Sequence, residues 1–190
     1  MTKNKIRIIA IALLTVILSL ATQGTLSYYS TAGTARNIVT SGNIRLVIRE
    51  TDGNGDDYPT DGVYIVPGDV VSKVVFIEND CDHPFYLRVK IVYGVDSEEL
   101  SADDCFKLNI EEENWFYNDG WYYYKGIVDP RTRTPDVFSH VEIVGSKVDK
   151  NYIGKTLTLT VLAQAVQSEN NPVASFDEAM LTLGWPAERE

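Results

Sequence analysis

Asp52, Asn54 and Asp56 alternate within Thr51-Asp52-Gly53-Asn54-Gly55-Asp56-Asp57, the D-x-N-x-D opening of a calcium loop. Hard cations take several oxygen ligands, and alternate oxygen-bearing side chains on a glycine-containing turn supply three. The rest of the pattern breaks. The sixth position is Asp57, where a glycine makes the sharp turn, and the twelfth is Val63, where a bidentate glutamate belongs. The stretch therefore reads as an acidic, solvated turn between strands and as a weak calcium candidate only.

Metal-assisted hydrolysis by a zincin needs two histidines one helical turn apart with a glutamate between them, so that both imidazoles reach one metal. His83 instead precedes Pro84 in a turn, and His140 stands between Ser139 and Val141 in a strand-like run. There is no G-x-S-x-G elbow, glycine-rich phosphate loop or Cys/His pairing. The chain reads as a non-enzyme with no catalytic set and no cofactor. Cys81 and Cys105 are the only cysteines, with 23 residues between them. In an oxidising compartment a disulfide would contribute ~2 to 4 kcal/mol. Two independent buried thiols are equally open, because spacing does not say whether the β-carbons meet.

Seven aromatic residues fall in Trp115-Phe116-Tyr117 and Trp121-Tyr122-Tyr123-Tyr124. Their faces could stack on sugars, as in a glycan-binding or adhesive module. The plainer reading is a hairpin turned by Asp119-Gly120, with cross-strand aromatic packing and every second ring buried.

The elements that would position these residues are short strands. Ile44, Leu46 and Ile48 alternate with Arg45 and Arg49, and residues 63–66 make a short strand before the Pro67-Gly68-Asp69 turn. Residues 70–78 are apolar at both parities and read as a strand buried on both faces. Phe85, Leu87, Val89, Ile91 and Tyr93 alternate cleanly with polar neighbours, and Phe106, Leu108 and Ile110 follow at period two. Residues 137–144 and 156–167 complete the set. A capping box of Ser175 and Glu178 predicts a helix over 175–183, stopped by Gly184. About eight strands with frequent turns and no alternating helices give an all-β, antiparallel sandwich of the jelly-roll or immunoglobulin type.

The 190 residues hold 17 Lys and Arg against 27 Asp and Glu. The N-terminus has the order of a secretory signal: Lys3, Lys5 and Arg7, an apolar run from Ile8 to Leu20, then small or polar residues. The run is shorter than the ~20 residues of a membrane-spanning helix. Thr25 and Ser27 supply small side chains three and one residues before a cut at Ser27/Tyr28. Residues 1–27 form the expected signal helix, 28–42 a soft arm and 43–190 one sandwich domain. Without residues 1–27, which hold three bases and no acid, the formal charge falls from −10 to −13. Such a chain repels phosphate backbones and anionic lipid, so nucleic acid is excluded as a partner and the membrane matters only during export.

The chain resembles the TasA/camelysin family of exported proteins, whose signals are handled by a dedicated signal peptidase of the SipW type. The resemblance rests on Gly24-Thr25-Leu26-Ser27-Tyr28-Tyr29 followed by Ser41-Gly42-Asn43-Ile44, on Val66-Pro67-Gly68-Asp69 followed by Lys73, Phe76 and Asn79, and on Ala163-Gln164-Ala165-Val166-Gln167. It implies a jelly-roll domain, secretion to the extracellular matrix or cell surface, and a role as subunit of biofilm fibres. It also implies assembly by donor-strand exchange, head to tail with itself or with a related fibre subunit. Camelysin is described as a metallopeptidase, so that activity is a weaker implication of the same resemblance. In the exchange, the arm bearing Tyr28, Tyr29, Ala32, Ala35, Ile38 and Val39 would complete a neighbour's sheet. These apolar residues are too sparse for a strand of the chain's own core and too many for an indifferent tail.

Overall fold

A computed structural model describes residues 29–37, 44–169 and 171–187. The expected signal helix, the cleavage point Ser27/Tyr28 and the arm residues Ile38 and Val39 lie outside the described residues. The strands are, in chain order, β1 (Tyr29–Asn37), β2 (Leu46–Thr51), β3 (Val63–Ile65), β4 (Val70–Asn79), β5 (Phe85–Val95), β6 (Phe106–Leu108), β7 (Trp115–Asn118), β8 (Trp121–Tyr124), β9 (Phe138–Ile143) and β10 (Thr156–Gln167). A 3-10 turn, Lys150–Tyr152, precedes β10, and one short helix, α1 (Glu178–Leu181), follows it.

These strands form two sheets, ordered β3-β1-β10-β5-β8-β7 and β2-β4-β9-β6. Every connection crosses from one sheet to the other except the β7–β8 hairpin, which gives an all-β, jelly-roll-like sandwich. The strand pairings are antiparallel apart from one, β1 with β10.

Period-two alternation places one face of each long strand inside. Leu157, Leu159, Val161 and Ala163 of β10 meet Val75 and Ile77 of β4 and Phe138 and Ile143 of β9 in a single core. Each fully buried aliphatic or aromatic side chain contributes about 1.5 to 3 kcal/mol. A second, smaller cluster lies on the outer face of the larger sheet. There the C-terminal segment brings Met180, Leu183 and Trp185 over Tyr86, Trp121 and Tyr123. The Arg88 guanidinium carbon lies 4.1 Å from the Trp121 ring centre and 4.8 Å from that of Trp185, a cation–π stack that ties the segment down.

Two expectations change. β4 is not buried on both faces: Lys73, Val75, Ile77 and Asn79 are buried and the alternate positions only partly so. A register shift against β9 between Ser72 and Val75 interrupts the ladder, so the valines on either side of it do not form one continuous buried run. The helix is one turn rather than residues 175–183, and its N-cap is Asp177, whose carboxylate accepts from Ala179 N. Ser175 donates its hydroxyl to that same carboxylate, which takes it out of the expected capping box.

Candidate functional site

The slot between β3 and β10 is where the structure places the expected arm. The nine-residue β1 fills it, with eight positions paired along β10 from Ser30 beside Thr156 to Asn37 beside Ala163, and pairs Tyr29, Ser30 and Thr31 with Ile65, Tyr64 and Val63. The expected soft lead is therefore a strand of the chain's own sheet, containing Tyr29, Ala32 and Ala35 of the six arm residues. Main-chain hydrogen bonds can hold such a strand without apolar alternation, which is why its pattern argued against it. β3 joins the sheet through β1 alone. Removing β1 would leave the twelve-residue β10 as a long open edge.

The acidic loop is closed by its own side chains. Asp52 Oδ1 accepts from Asn54 N at 2.7 Å and from Asp56 N at 3.1 Å, while Asn54 Nδ2 donates to Asp52 Oδ2. The Asn54 amide is the main cause holding the Asp52 carboxyl below its ordinary range. Asp52 thus works as a turn-former, with its oxygens turned to amides. Among the described residues no group of three or more His, Cys, Asp or Glu is placed to hold a metal ion.

Both cysteines are free and buried. Cys81 follows the end of β4, where its thiol faces Asn79 Oδ1 at 3.0 Å. Cys105 lies beyond the opposite end of the same sheet, where Val144 N donates to its carbonyl. The ten residues of β4 between those ends rise ~3.3 Å each, so the thiols are roughly 30 Å apart and the disulfide left open by the sequence does not form. Burial pushes the Cys105 thiol pKa up, which keeps it protonated and unreactive. The histidines are separate as well: His83 Nδ1 lies 3.1 Å from Glu169 Oε2, and His140 Nδ1 lies 2.8 Å from Ser139 Oγ.

The aromatic hairpin follows the packing reading. Asp119 (φ 46°) and Gly120 (φ 82°) make the positive-φ turn. Trp115–Tyr124, Phe116–Tyr123 and Tyr117–Tyr122 face each other across the strands with ring centres 5.3, 5.0 and 5.1 Å apart. Trp115, Trp121 and Tyr123 are buried, and Tyr117 stands 63% exposed. Beside it, a cleft of about 490 Å³ opens between the β6 and β7 edges.

One polar arrangement was missed by pattern reading. Lys73 is 3% exposed on the inner face of β4 and lies 3.9 Å from the Tyr58 ring centre. Its ammonium donates to Glu50 Oε2. Burial lowers the Lys73 pKa, against the pull of Glu50, and raises that of Tyr58 to about 12. Glu50 Oε1 and the Tyr58 hydroxyl are buried with no hydrogen-bond partner. The available signal was parity: Lys73 shares its face with Val75 and Ile77.

No protein-family model, curated protein or solved structure matches the chain.

Proposed function

We propose that the protein is a secreted structural subunit of extracellular fibres or biofilm matrix, non-enzymatic, that assembles when its β1 leaves its own sheet and completes that of another subunit. The observation carrying this reading is the β1 slot: a strand at the N-terminal side of the chain, in the sandwich's one parallel strand pairing, separates a three-residue strand from a twelve-residue edge. A strand so placed can be exchanged without disturbing the core strands, and an unfilled edge is a polymerisation template. The resemblance to the TasA/camelysin family supports the same reading, including export through a signal peptidase of the SipW type.

Negative-stain microscopy of purified protein beginning at Tyr28, compared with protein lacking residues 28–37, tests it. The longer form is expected to give fibres and the shorter none, and a free peptide of residues 28–37 is expected to cap growing ends. Normal fibres from the shorter form would remove the exchange mechanism. A second reading, a glycan-binding or adhesive surface, is favoured by exposed Tyr117 beside its cleft. Loss of polysaccharide retention in Tyr117→Ala, with fibres intact, would support it.

A further inference from the structure

We infer that Asn54 is a site of spontaneous covalent modification. Its side-chain amide is lost through a succinimide formed with the Gly55 backbone nitrogen, which leaves aspartate or isoaspartate and one further negative charge on the loop joining β2 to β3. The inference is independent of the exchange reading above.

Asn54-Gly55 is the only Asn-Gly pair in the chain. Ring closure needs the following backbone nitrogen to reach the side-chain carbonyl carbon, and glycine alone carries no side chain to screen that nitrogen. Asn109, Asn114 and Asn151 are followed by Ile110, Trp115 and Tyr152, whose side chains crowd the same approach. Asn171 precedes Pro172, which has no N–H to lose.

The loop is held at its base and open at its tip. Asp52 N donates to Asp56 O at 2.8 Å and Tyr58 N to Glu50 O at 3.0 Å, and Thr51 is bridged to Asp57. A β-carbon at Gly53 would stand 2.7 Å from Ser72 Oγ, so the base is pressed against β4. Residues 53–57 are exposed, and at Gly55, with φ 89°, a β-carbon would meet no heavy atom within 4 Å beyond its chain neighbours. The tip can therefore turn while the sheet stays intact.

The bonds that restrain the reacting groups end on Asp52 and face water. Gly55 N donates to Asp52 O at 3.1 Å, and Asn54 Nδ2 donates to Asp52 Oδ2 at 3.2 Å. Both must open before attack. Each such bond slows the reaction by about 2- to 12-fold, so the loop delays the closure without preventing it.

Hydroxide takes the Gly55 amide proton, the nitrogen bonds to Asn54 Cγ, and the Cγ–Nδ2 bond breaks with release of ammonia. Water then adds to one of the two ring carbonyls. Opening at Cγ gives aspartate, and opening at the Asn54 main-chain carbonyl gives isoaspartate, whose backbone runs through Cβ and Cγ. The sum is asparagine plus water to the acid plus ammonia, with no oxidant or reductant. One added negative charge takes the formal charge from −10 to −11. In both products a carboxylate replaces the amide that donates to Asp52, so two like charges face each other.

The test incubates the purified chain in mildly alkaline buffer beside a free peptide of residues 50–58. Mass spectrometry follows both, with fragmentation that separates aspartate from isoaspartate. A gain of about 1 Da is expected at residue 54 before any other asparagine, with ammonia released in equal amount. The rate should rise with pH, because the attacking nitrogen must lose its proton, and should lie about 5- to 150-fold below that of the peptide. Asn54→Gln, whose longer side chain closes the ring poorly, should show no gain at this position. An Asn54 that stays intact more than about 150-fold longer than the peptide would overturn the assignment, as would a first gain at another asparagine.

Discussion

Lys73 Nζ lies 2.8 Å from Glu50 Oε2, and the two side chains are only 4% and 12% exposed. Each ion is tolerable because the other is there. Lys73→Ala would leave a nearly buried carboxylate uncompensated and is expected to cost about 3 to 5 kcal/mol in urea unfolding. The double variant Lys73→Met/Glu50→Leu removes both charges at similar volume and should recover most of that loss. A double variant as unstable as the single one would show that packing of the lysine stem, rather than the charge left behind, sets the cost.

The Tyr58 hydroxyl has no partner, so Tyr58→Phe should be neutral or stabilising by up to about 1 kcal/mol, with the ring still under Lys73. Alkaline pH offers a second check. Burial raises the Tyr58 and Tyr93 pKa values from 10.0 to about 12 in the folded chain. The unfolded chain releases these protons first, so their stabilising contribution is full below pH 10 and lost as pH rises towards 12. Lys73, lowered when folded, acts in the opposite sense below 10.5, the pKa of its unfolded form. Denaturant midpoints between pH 10.5 and 12 should therefore fall with pH, and fall less steeply in Tyr58→Phe and Tyr93→Phe.

How far the sequence discloses this fold depends on what holds each element. Residues 156–167 were legible because alternation and burial coincide from Thr156 to Ala163, and Asp119-Gly120 announced its turn because few residue pairs take positive φ. β4 misled because Val70, Val71, Val74 and Val75 straddle a register shift that sequence does not show. β1 was hidden for a different reason: a strand held by its backbone leaves little trace in side-chain pattern. The Lys73–Glu50 pair was hidden because its partners come from different strands, 23 residues apart.

The loop around Asp52 makes a third expectation. Its carboxylate is held ionised chiefly by the Asn54 amide, so that stabilisation is present above the unfolded pKa and lost as pH falls through the lower folded value. Carbon-detected NMR titration should find Asp52 ionising below an ordinary aspartate, and Asn54→Gly, which keeps the amide, should leave this largely unchanged. Micromolar calcium should not shift melting, since Asp57 and Val63 stand where the turn glycine and bidentate ligand are needed. A shift of several degrees that disappears in Asp52→Ala/Asp56→Ala would overturn this.

β1 also contributes to the stability of the single chain, beyond any role in assembly. Its eight paired positions along β10 satisfy main-chain groups that would otherwise face water, and it alone connects β3, with the buried Ile65, to the sheet. Deleting residues 28–37 should therefore lower the melting temperature and open the outward β10 amides between Thr156 and Ala163 to hydrogen exchange. The β5-facing amides of β10 should stay protected, because the β5 ladder remains. A peptide of residues 28–37 added at about 100 times its dissociation constant should restore about 2.7 kcal/mol, by mass action on the folded state. If truncation leaves both melting and β10 exchange unchanged, β1 is not held in its own sheet and the exchange would begin from an already free arm.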